Sequence, residues 1–159
     1  MLQKYITVFF ISMVPLIELR GAIPYSAVMG LPLVQSYIVA ILGNMLPVPI
    51  IYLFARKVLE WGVDKPVIGG FFTWCLEKGK RGGEKLQAKA GRGLFIALLI
   101  FVGIPLPGTG AWTGTLAASL LDIDFKSSIL AVMGGVLMAG IIMGLASAGV
   151  LGALQSIVF

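Results

Sequence analysis

The stretch Pro15-Leu16-Ile17-Glu18-Leu19-Arg20-Gly21-Ala22-Ile23-Pro24 sets two charges between two prolines, inside sequence that is otherwise strongly apolar. Residues 5–17 carry no charge, and after Arg20 the next one is Arg56. The thirteen residues of the first run would reach about 20 Å as helix, against a hydrocarbon core of roughly 30 Å, so the run is half a span. A half-span ending in this pattern predicts broken backbone at membrane depth, because each proline removes a donor and Gly21 permits a sharp turn. Such backbone needs protein or a water-filled cavity to satisfy its freed groups, the condition met in re-entrant hairpins and discontinuous helices. Glu18 and Arg20 would share a side in extended backbone and diverge in a helix, so a local ion pair goes with a broken tip.

The composition agrees with a membrane setting. With 58% hydrophobic residues, 12% charged and a mean hydropathy of +1.01, the 159 residues read as one integral membrane domain, 1–159. Histidine is absent and Cys75 is the single cysteine, which excludes a disulfide scaffold, His-based catalysis and Cys/His zinc sites within one chain. No enzyme activity, cofactor or metal is expected. Lys4 followed by an apolar run resembles a signal peptide, but Glu18-Leu19-Arg20 stands where a cleavage site needs small residues.

After the turn signal Gly30-Leu31-Pro32, residues 33–54 run without a charge and predict a full transmembrane helix ending at Arg56-Lys57. Its Gln35, Asn44 and kink pair Pro47/Pro49 predict a side turned to protein or a cavity. Residues 56–92 hold nine Lys/Arg and four Asp/Glu, a net +5 that equals the charge of the whole chain. The positive-inside rule puts this segment in the cytoplasm. Apolar, aromatic residues 67–76 followed by basic residues 77–92 suit an amphipathic helix on an anionic membrane surface; a solvated loop whose lysines only set topology is the alternative. Residues 84–89 read as a short surface helix.

Residues 94–121 are again uncharged, yet their centre is Gly103-Ile104-Pro105-Leu106-Pro107-Gly108-Thr109-Gly110-Ala111-Trp112-Thr113-Gly114. In a continuous helix each proline costs about 3 kcal/mol and each glycine about 1, so a second re-entrant hairpin with its tip here is expected. Asp122 to Lys126 returns the chain to water, and residues 127–159 form a last helix. On it Gly140, Gly144, Ala148 and Gly152 recur every fourth residue, a flat stripe for a homodimer or for packing on the first long helix.

A shift of 92 residues aligns the halves without a gap, bringing Phe9 to Phe101, Pro15 to Pro107, Ser36 to Ser128, Gly43 to Gly135 and Ile50 to Ile142. The order of elements repeats as well: broken apolar element, polar turn, long helix. The fold class predicted is all-α integral membrane, an inverted repeat of two units, each a re-entrant hairpin plus a long transmembrane helix. Repeat 1 covers about 5–58 and repeat 2 about 93–157, joined by a basic cytoplasmic loop, about 59–92, with an amphipathic helix.

The motifs Pro15–Pro24 and Pro105–Gly114 resemble the small multidrug export protein family, over almost the whole chain. That family is similar in turn to the DedA (SNARE-associated, or VTT) superfamily, whose members resemble inverted-repeat transporters with two re-entrant hairpins, some of them carrying polyprenyl-phosphate lipids. DedA proteins place arginines in the second hairpin, whereas this sequence has its intramembrane arginine, Arg20, in the first. The resemblance implies a bacterial or archaeal cytoplasmic (inner) membrane location.

Intramembrane charge costs on the order of 2.5–3.5 kcal/mol per residue and marks function by default. The candidate substrate- or ion-binding residues are Glu18, Arg20, Gly21, Pro24, Asn44, Pro105, Pro107, Gly108, Thr109, Gly110, Trp112, Thr113 and Gly114. Two uses of the pair are open. In a proton- or ion-coupled secondary exporter of small amphiphilic cations, Glu18 is the exchangeable site. In a polyprenyl-phosphate flippase, Arg20 holds the anionic lipid with backbone N–H groups at residues 108–110 and the dipole of a half-helix starting near Trp112, while Glu18 carries the coupling proton. A third reading is a non-transporting scaffold, for which neither charge matters. Membrane lipids, the substrate, and protons or another coupling ion are the partners implied; nucleic acid is not.

Overall fold

The structure is a computed structural model describing residues 1–74, 77, 93–106 and 108–158, with side chains described as far as residue 150. Its principal helices are α1 (Leu2–Met13), α2 (Glu18–Val28), α3 (Leu33–Met45), α4 (Pro47–Val63), α5 (Gly93–Gly103), α6 (Ala111–Leu120) and α7 (Phe125–Val158), and no strand occurs among the described residues. The basic surface helix expected at 84–89 lies outside the described residues. Residues 69–74 are helical.

Leu46, between α3 and α4, keeps helical angles (φ −60°, ψ −45°), so the two form one kinked helix of 31 residues, Leu33–Val63. Pro47 and Pro49 cannot donate to the carbonyls of Gly43 and Met45, which accounts for the kink. The helix does not stop at Arg56-Lys57 as the charge pattern predicts. A charged pair marks where a helix leaves apolar surroundings, not where its hydrogen bonding ends, and here Arg56 is held by Glu60 one turn on, at 3.4 Å. α7 starts at Phe125, two residues earlier than expected, because Asp124 caps it by accepting the Ser127 N–H at 2.9 Å.

The other four helices have 10 to 12 residues each, about 15–18 Å, half the length needed to cross a bilayer. They form two helical hairpins. α2 folds back along α1, so that Lys4 Nζ donates to the Met29 carbonyl at 3.0 Å. α6 folds back along α5, with Gly114 seated against Val102 and Leu98.

Each hairpin packs its first arm on the long helix of its own half of the chain. A Cβ at Gly43 on α3 would overlap Ser12 Oγ and the Phe9 carbonyl of α1; a Cβ at Gly135 on α7 would lie 2.7 Å from the Leu99 carbonyl of α5. The second arms cross over, α2 onto α7 and α6 onto α4. On α7, Gly140 and Gly144 are used inside the fold, against Tyr37 and Leu33 of α3. Two sets of ties close the ends. Tyr5 bonds Gln35 and Tyr37 donates to the Leu137 carbonyl (2.8 Å) at one; Tyr52 donates to Ile123, Ser119 donates to the Tyr52 carbonyl (3.0 Å) and Arg56 pairs with Asp122 at the other.

The core, including Val8, Leu19, Ile23, Val102, Val132 and Val136, is wrapped in an outside that is just as apolar: Val34, Leu42, Leu53, Ile141 and Leu145 are all exposed. An outer surface of this kind on helices long enough to cross a bilayer is that of a membrane protein. The two close approaches give a first test. Gly43→Ala and Gly135→Ala are expected to destabilise by about 1–3 kcal/mol each through overpacking, and Gly149→Ala, whose Cβ would meet open space, by nothing measurable. Thermal unfolding in detergent reads this; three equal melting temperatures would mean the contacts relax freely.

Candidate functional site

The sequence between Met13 and Glu18 cannot stay helical, since Pro15 lacks an N–H and Val14 is extended (φ −70°, ψ 128°). Leu16 (φ 71°) and Glu18 (φ 49°) then take left-handed backbone, sparsely populated by residues other than glycine. Ninety-two residues later positive φ recurs at Gly108 (φ 81°) and Gly110 (φ 139°). In the first tip Glu18 occupies a position that costs of order 1–3 kcal/mol and persists because its surroundings hold it.

The second hairpin holds it. The Glu18 carboxylate, 4% exposed, accepts the N–H of Ala111 at 3.1 Å and of Trp112 at 3.0 Å, the first free donors of α6. Gly110 is needed twice, for its φ and because a side chain there would run into the carboxylate. Arg20 does the converse. It donates to the carbonyls of Val102 (3.3 Å), Ile104 (3.1 Å) and Leu106, where α5 ends, and to Thr109 Oγ1 (2.8 Å). The anion thus sits on a helix N-terminus and the cation at a helix C-terminus, each favoured by the dipole it faces. A third tie runs back, from Trp112 Nε1 to the Met13 carbonyl at the end of α1, 3.1 Å.

This corrects two expectations. Glu18 and Arg20 form no ion pair with one another among the described residues: α2 begins at Glu18, so the two side chains diverge and each crosses to the other hairpin. Nor does Gly21 make the turn, which lies at residues 14–17. Gly21 is inside α2, tight against Ile17, and Pro24 is accommodated within the same helix.

Of the other residues singled out, Pro105, Gly108, Thr109 and Gly110 belong to the second tip, where Thr109 donates to the carbonyls of Ile104 (2.8 Å) and Leu106 (2.9 Å). Thr113 Oγ1 reaches the Gly110 carbonyl at 3.4 Å, and Gly114 faces α5. Pro107 lies outside the described residues. Asn44 is buried on α3 with its Oδ1 unpartnered, and it does not line the cavity at the junction.

That cavity, about 480 Å³, opens beside the junction. Pro15, Leu16 and Glu18 bound it on one side, Thr109, Trp112, Thr113 and Leu116 on another. The wall the sequence reading missed is α4, with Ile50, Phe54 and Val58 at successive turns. Their spacing of four was the available signal, hidden because the helix was expected to end at Arg56. No group of three or more His, Cys, Asp or Glu able to hold a metal occurs among the described residues.

Two helical hairpins joined tip to tip by a buried carboxylate and a half-buried guanidinium, flanked by two long apolar helices, define an all-helical membrane protein with an internal polar junction. The chain belongs to the family described as putative small multi-drug export protein, whose model matches residues 18–142, a stretch that carries both Glu18 and the second tip. Neither a curated protein nor a solved structure matches the chain.

Proposed function

We propose that the protein is a secondary exporter of small amphiphilic cations, with Glu18 as the exchangeable site. The observation that carries this is an asymmetry of the junction: among the described residues Glu18 is the one charged residue lining the 480 Å³ cavity, while the Arg20 guanidinium is turned away into the carbonyls at the end of α5. The cavity is bounded by Glu18, two threonines, the rings of Trp112 and Phe54 and otherwise aliphatic walls, a lining suited to a lipophilic cation. Ionised Glu18 binds the cation; protonated Glu18 releases it, which couples export to a proton gradient. A polyprenyl-phosphate substrate of the DedA kind, held by Arg20, the N–H groups at 108–110 and the α6 dipole, is less well served, since Arg20 is engaged by carbonyls and the start of α6 already holds the Glu18 carboxylate.

The same reading makes the hairpins re-entrant and the two halves an inverted repeat. Half-span arms, positive φ recurring 92 residues apart, and second arms that exchange long helices all support it. The pairing of Arg56 with Asp122 supports a topology in which the turn before α7 shares the side of the basic segment, the cytoplasmic one by the positive-inside rule, with both termini on the other.

The test is transport into proteoliposomes under an imposed pH gradient, comparing a lipophilic cation such as tetraphenylphosphonium with a polyprenyl phosphate. Gradient-dependent movement of the cation alone is expected. Movement of the phosphate lipid alone would replace this reading with the flippase one, and movement of neither would leave the scaffold.

A further inference from the structure

The end of α4 and the turn after it carry a surface that the junction does not use. After Asp64 the chain folds back on α4: a Cβ at Gly62 would lie 2.5 Å from the Phe72 ring, and one at Gly69 would overlap the Val63 carbonyl. Phe72 is therefore the inward residue of this turn, and its neighbours are left outside. Val67 is 92% exposed, Phe71 64% and Trp61 61%. Basic side chains are laid across the rings, Lys65 Nζ 4.2 Å from the centroid of Trp61 and Lys57 Nζ 5.8 Å from that of Phe54. The two acidic groups of this stretch are Glu60, paired with Arg56, and Asp64, while the wider segment 56–92 carries net +5.

Depth says what covers this surface. The kinked helix Leu33–Val63 is 31 residues long, about 46 Å, which exceeds the roughly 30 Å hydrocarbon core, so its last turns emerge into the headgroup layer. Indole rings and lysines are at home there, the ring toward the acyl boundary and the ammonium toward anionic headgroups.

We propose that Trp61 and residues 64–74 form an interfacial anchor: Val67 and Phe71 insert into the leaflet around the end of α4, and Lys57 and Lys65 give it a preference for anionic lipid. The anchor fixes how deep α4, and with it the Ile50–Phe54–Val58 wall of the cavity, sits in the membrane. It stands whatever the junction transports.

The experiment uses the full chain with Cys75→Ser and one spin label, at Val67→Cys or, as a control, at Lys126→Cys, in vesicles of phosphatidylglycerol and phosphatidylcholine. The label at 67 should collide more with oxygen than with a water-soluble nickel chelate, and the label at 126 the reverse. Equal nickel access at both positions would overturn the anchor by showing a water-facing turn. Protection from both reagents would overturn it in favour of a protein cover, from this chain or a second copy. Separately, spin-labelled phosphatidylglycerol should associate with the protein in preference to phosphatidylcholine, and each of Lys57→Gln and Lys65→Gln should reduce that preference by about fivefold. An unchanged preference in variants that elute as the parent does would remove the lysines from the proposal.

Discussion

Arg20→Gln is expected to destabilise the protein by about 1.5–3 kcal/mol, the cost of losing charge-assisted hydrogen bonds from a half-buried guanidinium. Four acceptors lose one donor at once, the carbonyls of Val102, Ile104 and Leu106 and the Thr109 hydroxyl, although the Ile104 and Leu106 carbonyls keep the Thr109 hydroxyl. Such carbonyls at a helix end have no partner within the helix and depend on donors from elsewhere in the fold. Glu18 also loses a neighbouring cation that offsets its charge. Arg20→Lys separates the two effects. It restores the charge, but an ammonium cannot spread over donors as a planar guanidinium does, so it should recover about half the loss. Unfolding in detergent, followed by melting temperature, measures both variants. An Arg20→Gln protein within about 1 kcal/mol of the parent would mean that packing between α2 and α7, and not the junction, joins the halves.

The sequence announced the broken elements because proline and glycine act locally. A missing N–H weakens a helix locally, although the lone Pro24 and the pair Pro47/Pro49 are carried inside helices. At Pro15, and at Pro105 between Gly103 and Pro107, it breaks one, and an uncharged run longer than half a bilayer but interrupted in its middle has few other outcomes. The start of α6 could be read to within a residue for the same reason. What stayed hidden was long-range. Glu18 and Arg20 are two residues apart, so proximity suggests they pair; only the meeting of the tips supplies the α6 amides and α5 carbonyls that draw them apart. The left-handed steps at Leu16 and Glu18 were equally unreadable, since neither residue type advertises positive φ, although the glycines at 108 and 110 in the matching register hinted at it. Arg56-Lys57 misled for a physical reason: charge reports depth, and a helix continues past the membrane while its residues favour it.

Glu18→Gln is expected to reduce gradient-driven export of a lipophilic cation by more than a hundredfold while leaving most of the fold in place. The amide is nearly isosteric and its carbonyl oxygen keeps one of the two bonds from Ala111 or Trp112, but its NH2 would face the other N–H donor, so about 1.5–3 kcal/mol of stability should be lost. The larger effect is on coupling, because a group that cannot lose a proton can neither attract the cation nor exchange it. Gly110→Ala tests the seat without touching the charge. Its Cβ would collide with the carboxylate at a φ of 139°, which alanine resists, so it should displace Glu18 from the α6 amides and impair export although every titratable group remains. The double variant Glu18→Gln/Arg20→Gln removes stranded charge as an explanation, since neither partner is then left alone. Normal export by that variant, once shown to be folded, would sink the role given to Glu18. Loss of export in the double variant and in Glu18→Gln, with cation binding at high pH surviving only where the carboxylate is intact, ties transport to this one group.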